Sequence, residues 1–192
     1  MTATNEQTHR RWNQIARHFN GGLIPGRNDL PGCLSDAFDA GAFLSDSGQL
    51  DTQLLAVAVE STWTAAEYPE GQLDDHELWQ IMFDRARDHL EVPTAPVTLY
   101  RGVRHEWAAA HMSWTGTLAV AQWFADRYSN SHGAGGRVYV LRGVEPAHVL
   151  ARVTHGRGEN GRGEDEYVLD PFYLDDAPIE LHELRQPADQ EN

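Results

Sequence analysis

The sequence predicts an α+β protein in which helices come first and antiparallel strands follow. Before residue 92, apolar residues recur at the spacing of helices, and from residue 97 onward β-branched and aromatic residues dominate short runs. Pro93 and Pro96 separate the two patterns. Runs of helices followed by runs of strands are typical of α+β domains and not of an alternating parallel sheet.

Three helices are predicted in the first part of the chain. The first spans Arg11 to Phe19, the second is capped by Asp51, and the third is capped by Asp74 or Asp75. Their predicted buried faces, which are apolar except for Arg85, comprise Trp12, Ile15, Ala16 and Phe19 in the first, Leu55, Val59 and Trp63 in the second, and Leu78, Ile81, Met82, Arg85 and Leu90 in the third.

Five strands and one further helix are predicted in the second part. The strands are Val97 to Tyr100, Arg137 to Arg142, Val149 to Val153, Tyr167 to Leu169 and Ile179 to Leu184. The helix follows Thr117 as its cap and carries Ala121, Phe124, Ala125 and Tyr128 on one side.

The length of 192 residues fits one domain. We expect this domain to span residues 1–185, with a helical part over 1–92 and a strand-rich core over 93–185, followed by a disordered tail over 186–192. The single cysteine, Cys33, excludes an internal disulfide and lies beside Pro31 in a predicted turn. The polar start of the chain and its short apolar runs favour a cytoplasmic protein, although delivery into another cell stays possible.

The net charge of -14 is unevenly distributed along the chain. Residues 101–163 carry 8 arginines against 4 acidic residues, whereas both flanking regions are acidic. A basic stretch inside an acidic protein favours a small anionic ligand such as a pyrophosphate over a nucleic acid. The alternative is that these arginines are ordinary solvated surface.

Three short segments carry candidate chemistry. The first is Leu99-Tyr100-Arg101-Gly102, an arginine on a strand followed by a glycine that allows close approach to the backbone. The second is Ser113-Trp114-Thr115, whose two hydroxyls share one face of a predicted strand. Taken alone, each has an ordinary structural explanation: a surface arginine paired with an acid, and an exposed Ser/Thr pair with Trp114 in the core.

The third segment is Glu164-Asp165-Glu166-Tyr167-Val168-Leu169, which follows a glycine-rich loop over residues 156–163. Side chains two apart on a strand point the same way, so Glu164 and Glu166 are expected on one face. Two carboxylates on a shared surface can divide the work, one stabilising a cationic transition state and the other holding an acceptor. The alternative is a hairpin connection with solvated acidic residues.

In this order, the three segments resemble the mono-ADP-ribosyltransferase family with its Arg, Ser and Glu motifs, in particular the small phage- and toxin-associated branch. The resemblance covers about residues 97–171. It implies an ADP-ribosyltransferase fold of two packed antiparallel sheets preceded by helices, with a cleft for NAD as co-substrate and release of nicotinamide. The three motif residues would then line one crevice.

The resemblance also implies roles for individual residues. Arg101 would contact the NAD phosphates, Ser113 would steady the catalytic Glu166, and Glu164 would face the acceptor. The residues implied around the cofactor are Arg101, Gly102, Ser113, Trp114, Thr115, Trp123, Phe124 and Glu166, with Trp123 or Phe124 lining the nicotinamide pocket.

The acceptor is left open by the sequence. A glutamate at position 164 is usual in relatives that modify arginine, which favours a protein arginine, but relatives often carry an aromatic residue where this chain has Gly161. A nucleic acid or a small molecule is the other possible acceptor. The alternatives to a transferase are an NAD glycohydrolase that uses water and a non-catalytic interaction module on the same fold. The resemblance further implies a monomeric toxin, effector or phage-conflict enzyme with an antitoxin or immunity protein.

No metal site is predicted. The chain has 10 histidines, but His105, His111, His132, His148 and His155 form none of the short ligand pairs typical of zinc sites.

Overall fold

The computed structural model describes residues 3–127, 136–154 and 165–182, with side chains from residue 5 onward. The chain divides into two compact units, Met1–Val92 and Pro93–Asn192, where the helical pattern gives way to the strand pattern. Glu164, the predicted glycine-rich loop and the predicted tail lie outside the described residues. No helix among the described residues is long and apolar enough to cross a membrane.

The first unit is helical. Its elements are α1 (Ala3–Phe19), α2 (Leu30–Asp39), α3 (Thr52–Ala65), α4 (Pro69–Gln72) and α5 (His76–Ala86), followed by a 3₁₀ turn over Arg87–His89. Two helix starts follow from capping chemistry. The carboxylate of Asp51 accepts from the Leu54 amide at 3.0 Å, and that of Asp75 accepts from the Leu78 amide at 2.8 Å. Asp75, not Asp74, is therefore the residue that caps α5.

An aromatic cluster forms the centre of this unit. Trp63 meets Trp79 edge to face with ring centroids 5.1 Å apart, and it meets Phe83 in the same way at 5.5 Å. Trp12 of α1 stacks against Phe43 at 6.1 Å. These five rings are almost completely buried and are among the largest buried side chains of the protein.

Several details of the helical unit differ from the sequence prediction: α2 and α4 were not predicted, and α1 begins at Ala3 instead of Arg11. Cys33 lies buried within α2 and not in a turn, because a proline is tolerated in the first turn of a helix and Pro31 occupies that place. The buried residues of α5 are Trp79, Met82, Phe83 and Ala86, so its buried face is rotated from the predicted one. The two large aromatic rings bury more apolar area than Leu78 and Ile81 would, which explains the rotation.

The second unit contains all six strands of the described chain. Its elements are β1 (Val97–Val103), a 3₁₀ turn (Glu106–Ala110), β2 (Ser113–Thr115), α6 (Leu118–Arg127), β3 (Arg137–Val144), a 3₁₀ turn (Pro146–His148), β4 (Val149–Val153), β5 (Glu166–Leu169), α7 (Pro171–Asp176) and β6 (Glu180–Leu181). The α+β class and the antiparallel pairing are thereby confirmed. The sequence analysis missed α7, and Tyr128 lies outside the described residues.

The six strands form one sheet in the order β4-β5-β2-β1-β3-β6, with every adjacent pair antiparallel. The expected two packed sheets are not what the described residues form. The short strand β2 explains the difference. It pairs with β5 along its whole length and with β1 through Tyr100 and Thr115, and so joins two three-stranded halves into one sheet.

The two faces of the sheet are covered differently. On one face, α6 packs so closely on β1 that a Cβ on Gly102 would lie 1.8 Å from the carbonyl oxygen of Ala121. The other face holds the main core of the unit, which includes Leu99, Trp114 and Tyr139. The α6 face is the one that carries the candidate site.

Candidate active site

A hydrogen bond between Ser113 and Glu166 lies at the centre of the candidate site. The Ser113 hydroxyl donates to Oε1 of Glu166 at 2.7 Å, and both residues are half-buried. An O–H to carboxylate bond of this length is charge-assisted and fixes the orientation of the carboxylate. This is the contact expected between Ser113 and Glu166, and the catalytic role of Glu166 stays a prediction.

The register of β2 against β5 explains why these side chains meet. Thr115 lies directly opposite Glu166, and Ser113 lies opposite Val168, so Ser113 and Glu166 are diagonal neighbours on one face. Thr115 also lies opposite Tyr100, which packs against α6. The hydroxyls and the carboxylate therefore share the α6 face.

Arg101 reaches the same strand by a different route. Its Nε donates to the carbonyl oxygen of Ala108 at 2.8 Å, and its NH1 donates to the carbonyl oxygen of Ser113. The guanidinium thus ties β1 to the 3₁₀ turn and to β2. Ser113 is the common partner, because its carbonyl accepts from Arg101 while its hydroxyl donates to Glu166.

The register places the Arg101 and Glu166 side chains on opposite faces of the sheet. Arg101 pairs with Tyr139, which is buried in the same core as Trp114, whereas Glu166 shares its face with Thr115. Strand alternation therefore does not bring the side chains of Arg101 and Glu166 into the expected single crevice. The Arg101 guanidinium contacts the site through its hydrogen bond to the backbone carbonyl oxygen of Ser113.

The other residues of the second motif have internal partners. Trp114 is 2 % exposed, and its indole N–H donates to the carbonyl oxygen of His111 at 2.9 Å. Thr115 is buried, and its hydroxyl accepts from the amide of Thr117 at 3.1 Å, just before α6 begins. These contacts give both residues structural roles in placing β2 and the start of α6.

Helix α6, which lies on the same face of the sheet as Glu166, carries two aromatic rings. Ala121 and Ala125 pack against the sheet, which leaves Trp123 44 % exposed and Phe124 half-buried at the sides of the helix. The two rings meet edge to face with centroids 5.0 Å apart, and the Arg127 guanidinium lies 5.6 Å from the Trp123 ring centroid. The predicted nicotinamide-binding role of these rings stays a prediction.

Two features beside the site were missed by the sequence analysis. Arg152 of β4 pairs with Asp165, with Nε and Oδ1 2.7 Å apart, immediately before Glu166. Trp107, in the 3₁₀ turn that Arg101 contacts, is 68 % exposed and stacks against His105. The Glu164-Asp165-Glu166 run was visible in the sequence, but the partner of its middle residue depends on strand pairing.

Among residues 5–127, 136–154 and 165–182, no group of three or more His, Cys, Asp or Glu side chains is arranged to hold a metal ion.

Comparisons of the chain with models of protein families, with curated proteins and with solved structures found no match.

Proposed function

We propose that this protein is a mono-ADP-ribosyltransferase that transfers ADP-ribose from NAD to an acceptor and releases nicotinamide. The observation that carries the proposal is the 2.7 Å hydrogen bond from the Ser113 hydroxyl to Glu166. It joins two of the three motif residues that the sequence singles out, and the third, Arg101, bonds to the backbone of the same serine.

The proposed reaction breaks the bond between ribose C1′ and the nicotinamide nitrogen. Nicotinamide leaves as a neutral molecule with the bonding electron pair, and the ribose becomes oxocarbenium-like. The acceptor then forms a bond to C1′ and loses a proton. The ionised Glu166 accepts a ribose hydroxyl and offsets the developing positive charge, while Ser113 holds the carboxylate in place.

Arg101 is proposed to contact the NAD phosphates from the edge of the site. Its two hydrogen bonds to carbonyl oxygens also give it a bracing role for β2. Arg101→Lys separates these functions, because lysine keeps the charge but loses the planar fork of donors. Phosphate binding predicts a raised KM for NAD in this variant, whereas loss of the bracing contacts predicts a lower melting temperature. A lower melting temperature with an unchanged KM would assign Arg101 to bracing alone.

A protein arginine is the favoured acceptor. In this proposal Glu164 holds the acceptor guanidinium through a bidentate contact and takes up its proton. For Glu164→Gln, we expect transfer to an acceptor to fall more than the hydrolysis of NAD. Equal loss of both activities would remove Glu164 from the acceptor site.

An NAD glycohydrolase is the second candidate, with water as the acceptor at the same site. The observation that favours it is the absence of aromatic residues from the sequence of residues 156–163, where relatives carry an acceptor-recognising ring. A transferase of this type would act as a toxin, effector or phage-conflict enzyme, held in check by an antitoxin or immunity protein.

Labelled NAD tests the proposal and distinguishes the candidates. The protein is incubated with NAD labelled in its adenylate part and with a whole-cell extract, and protein, nucleic acid and small molecules are then separated. Label on protein supports the transferase, and free labelled ADP-ribose supports the glycohydrolase. Intact NAD in every fraction contradicts both candidates.

A further inference from the structure

The residue between the two motif glutamates has a partner of its own. Asp165 pairs with Arg152 through Oδ1 and Nε, 2.7 Å apart, and the two side chains are 29 % and 35 % exposed. Exposed ion pairs contribute little, but a half-buried pair is screened less by water and salt. This pair also joins the end of β4 to the start of β5 across the ten residues 155–164.

Both chain neighbours of Glu166 are held by Arg152. The guanidinium pairs with Asp165 on one side of Glu166 and lies 5.4 Å from the ring centroid of Tyr167 on the other. Arg152 also stands opposite Tyr167 in the strand register. Because side chains alternate along a strand, fixing residues 165 and 167 on one face directs residue 166 to the other.

Gly116, the residue that follows β2, also contacts Asp165. Its amide donates to the carbonyl oxygen of Asp165 at 3.1 Å. A Cβ at Gly116 would lie 2.6 Å from Oδ2 of Asp165 and 3.2 Å from the ring of Tyr167, so a side chain at this position would displace the carboxylate. The acidic side chain is therefore confined between the guanidinium and a glycine that leaves room for it.

We infer that Arg152 and Asp165 are positioning residues that hold the Glu166 carboxylate against the Ser113 hydroxyl. The pair lies on the opposite face from Glu166 and acts through the backbone of β5. Arg152 also balances the charge of Asp165, so the carboxylate of Glu166 is not placed beside an uncompensated second anion. The kinetic part of this inference rests on the proposed function.

The test uses Asp165→Ala, Arg152→Met and the double variant. We expect each single variant to lower kcat for nicotinamide release by at least tenfold while KM for NAD changes less than threefold. The double variant should be no slower than the slower single variant, because both substitutions break the same unit. Arg152→Lys should recover part of the loss, since it restores the charge but not the planar contact with Tyr167.

Arg142→Met is the matched control. Arg142 of β3 pairs with Glu180 of β6 in the same sheet, but this pair is exposed, and neither strand is adjacent to β5. We expect its kcat to stay within twofold of the wild-type value. A loss of kcat equal to that of Arg152→Met would show that any lost ion pair in the sheet has this effect.

Crystal structures of wild type, Asp165→Ala and Arg142→Met test the positioning of Glu166 without an assay of enzymatic activity. The inference predicts that the distance from Ser113 Oγ to Glu166 Oε1 lengthens beyond 3.5 Å in Asp165→Ala alone. An unchanged distance together with an unchanged kcat overturns it, even if the melting temperature falls. If the wild type releases no nicotinamide, the proposed function fails, and the measured distance still decides whether the pair positions Glu166.

Discussion

Removing the Ser113 hydroxyl tests the central contact of the site. Ser113→Ala deletes the donor that lies 2.7 Å from Oε1 of Glu166 and leaves the backbone carbonyl that Arg101 contacts. A hydrogen bond to a charged group contributes about 1.5–3 kcal/mol. If that energy is used to orient the carboxylate in the transition state, kcat for nicotinamide release falls about 10- to 150-fold.

Continuous measurement of nicotinamide release at saturating NAD gives kcat directly. Ser113→Thr keeps the hydroxyl and suits a strand, so we expect it to retain most of the activity. Ser61→Ala is a second control, because it removes a hydroxyl of α3 that lies 3.4 Å from Nδ1 of His9 within the helical unit. A kcat for Ser113→Ala within twofold of wild type would show that the Ser113 hydroxyl does not orient the Glu166 carboxylate for the reaction.

Three further predictions concern the fold. Gly102→Ala should destabilise the protein by about 1–3 kcal/mol or more, since the added Cβ would lie 1.8 Å from a carbonyl oxygen of α6. The control is Gly32→Ala in α2, whose added Cβ meets nothing within 4 Å and which should stabilise the protein by up to roughly 1 kcal/mol. Denaturant unfolding of the two variants compares these free energies. Asp75→Ala should lower the free energy of unfolding by about 1 kcal/mol through loss of the α5 cap, and equal loss in Asp74→Ala would contradict the assignment. Burial raises the pKa of the Cys33 thiol above its ordinary value of 9.0, with smaller contributions from Asp29 and Asp36. The thiol should therefore react far more slowly with a disulfide reagent in the folded than in the unfolded protein, and equal reaction rates in both states would contradict this. Because the thiol pKa is higher in the folded state, its contribution to the free energy of unfolding is fully present below the ordinary thiol pKa and is lost as the pH rises above it.

The sequence predicted features that depend on neighbouring residues. Asp51 was assigned as a cap because capping involves an amide three residues away, and the structure confirms it. The shared face of Ser113 and Thr115 follows from strand alternation alone. The contact of Ser113 with Glu166, 53 residues further along, was not readable from local pattern and came from the family resemblance.

Features that depend on pairing between distant segments were beyond the sequence. The partner of Asp165 is set by the register of β4 against β5, and the number of sheets is set by whether β2 pairs with β1 as well as β5. That the Arg101 and Glu166 side chains lie on opposite faces has the same origin, since it depends on the pairing of β1 with β2 and of β2 with β5. Strand alternation predicts faces within one strand and does not relate one strand to another.

Nicotinamide release by wild-type protein and by Glu166→Gln shows whether the Glu166 carboxylate is needed for cleavage of NAD. The substitution keeps the size of the side chain and an oxygen that can accept from Ser113. It removes the negative charge that would stabilise the oxocarbenium-like ribose as nicotinamide leaves. We expect the wild type to cleave NAD, and we expect Glu166→Gln to keep its fold, by circular dichroism and melting temperature, with no detectable cleavage. Cleavage by Glu166→Gln at the wild-type rate would contradict the assignment of Glu166, and with it the proposed site.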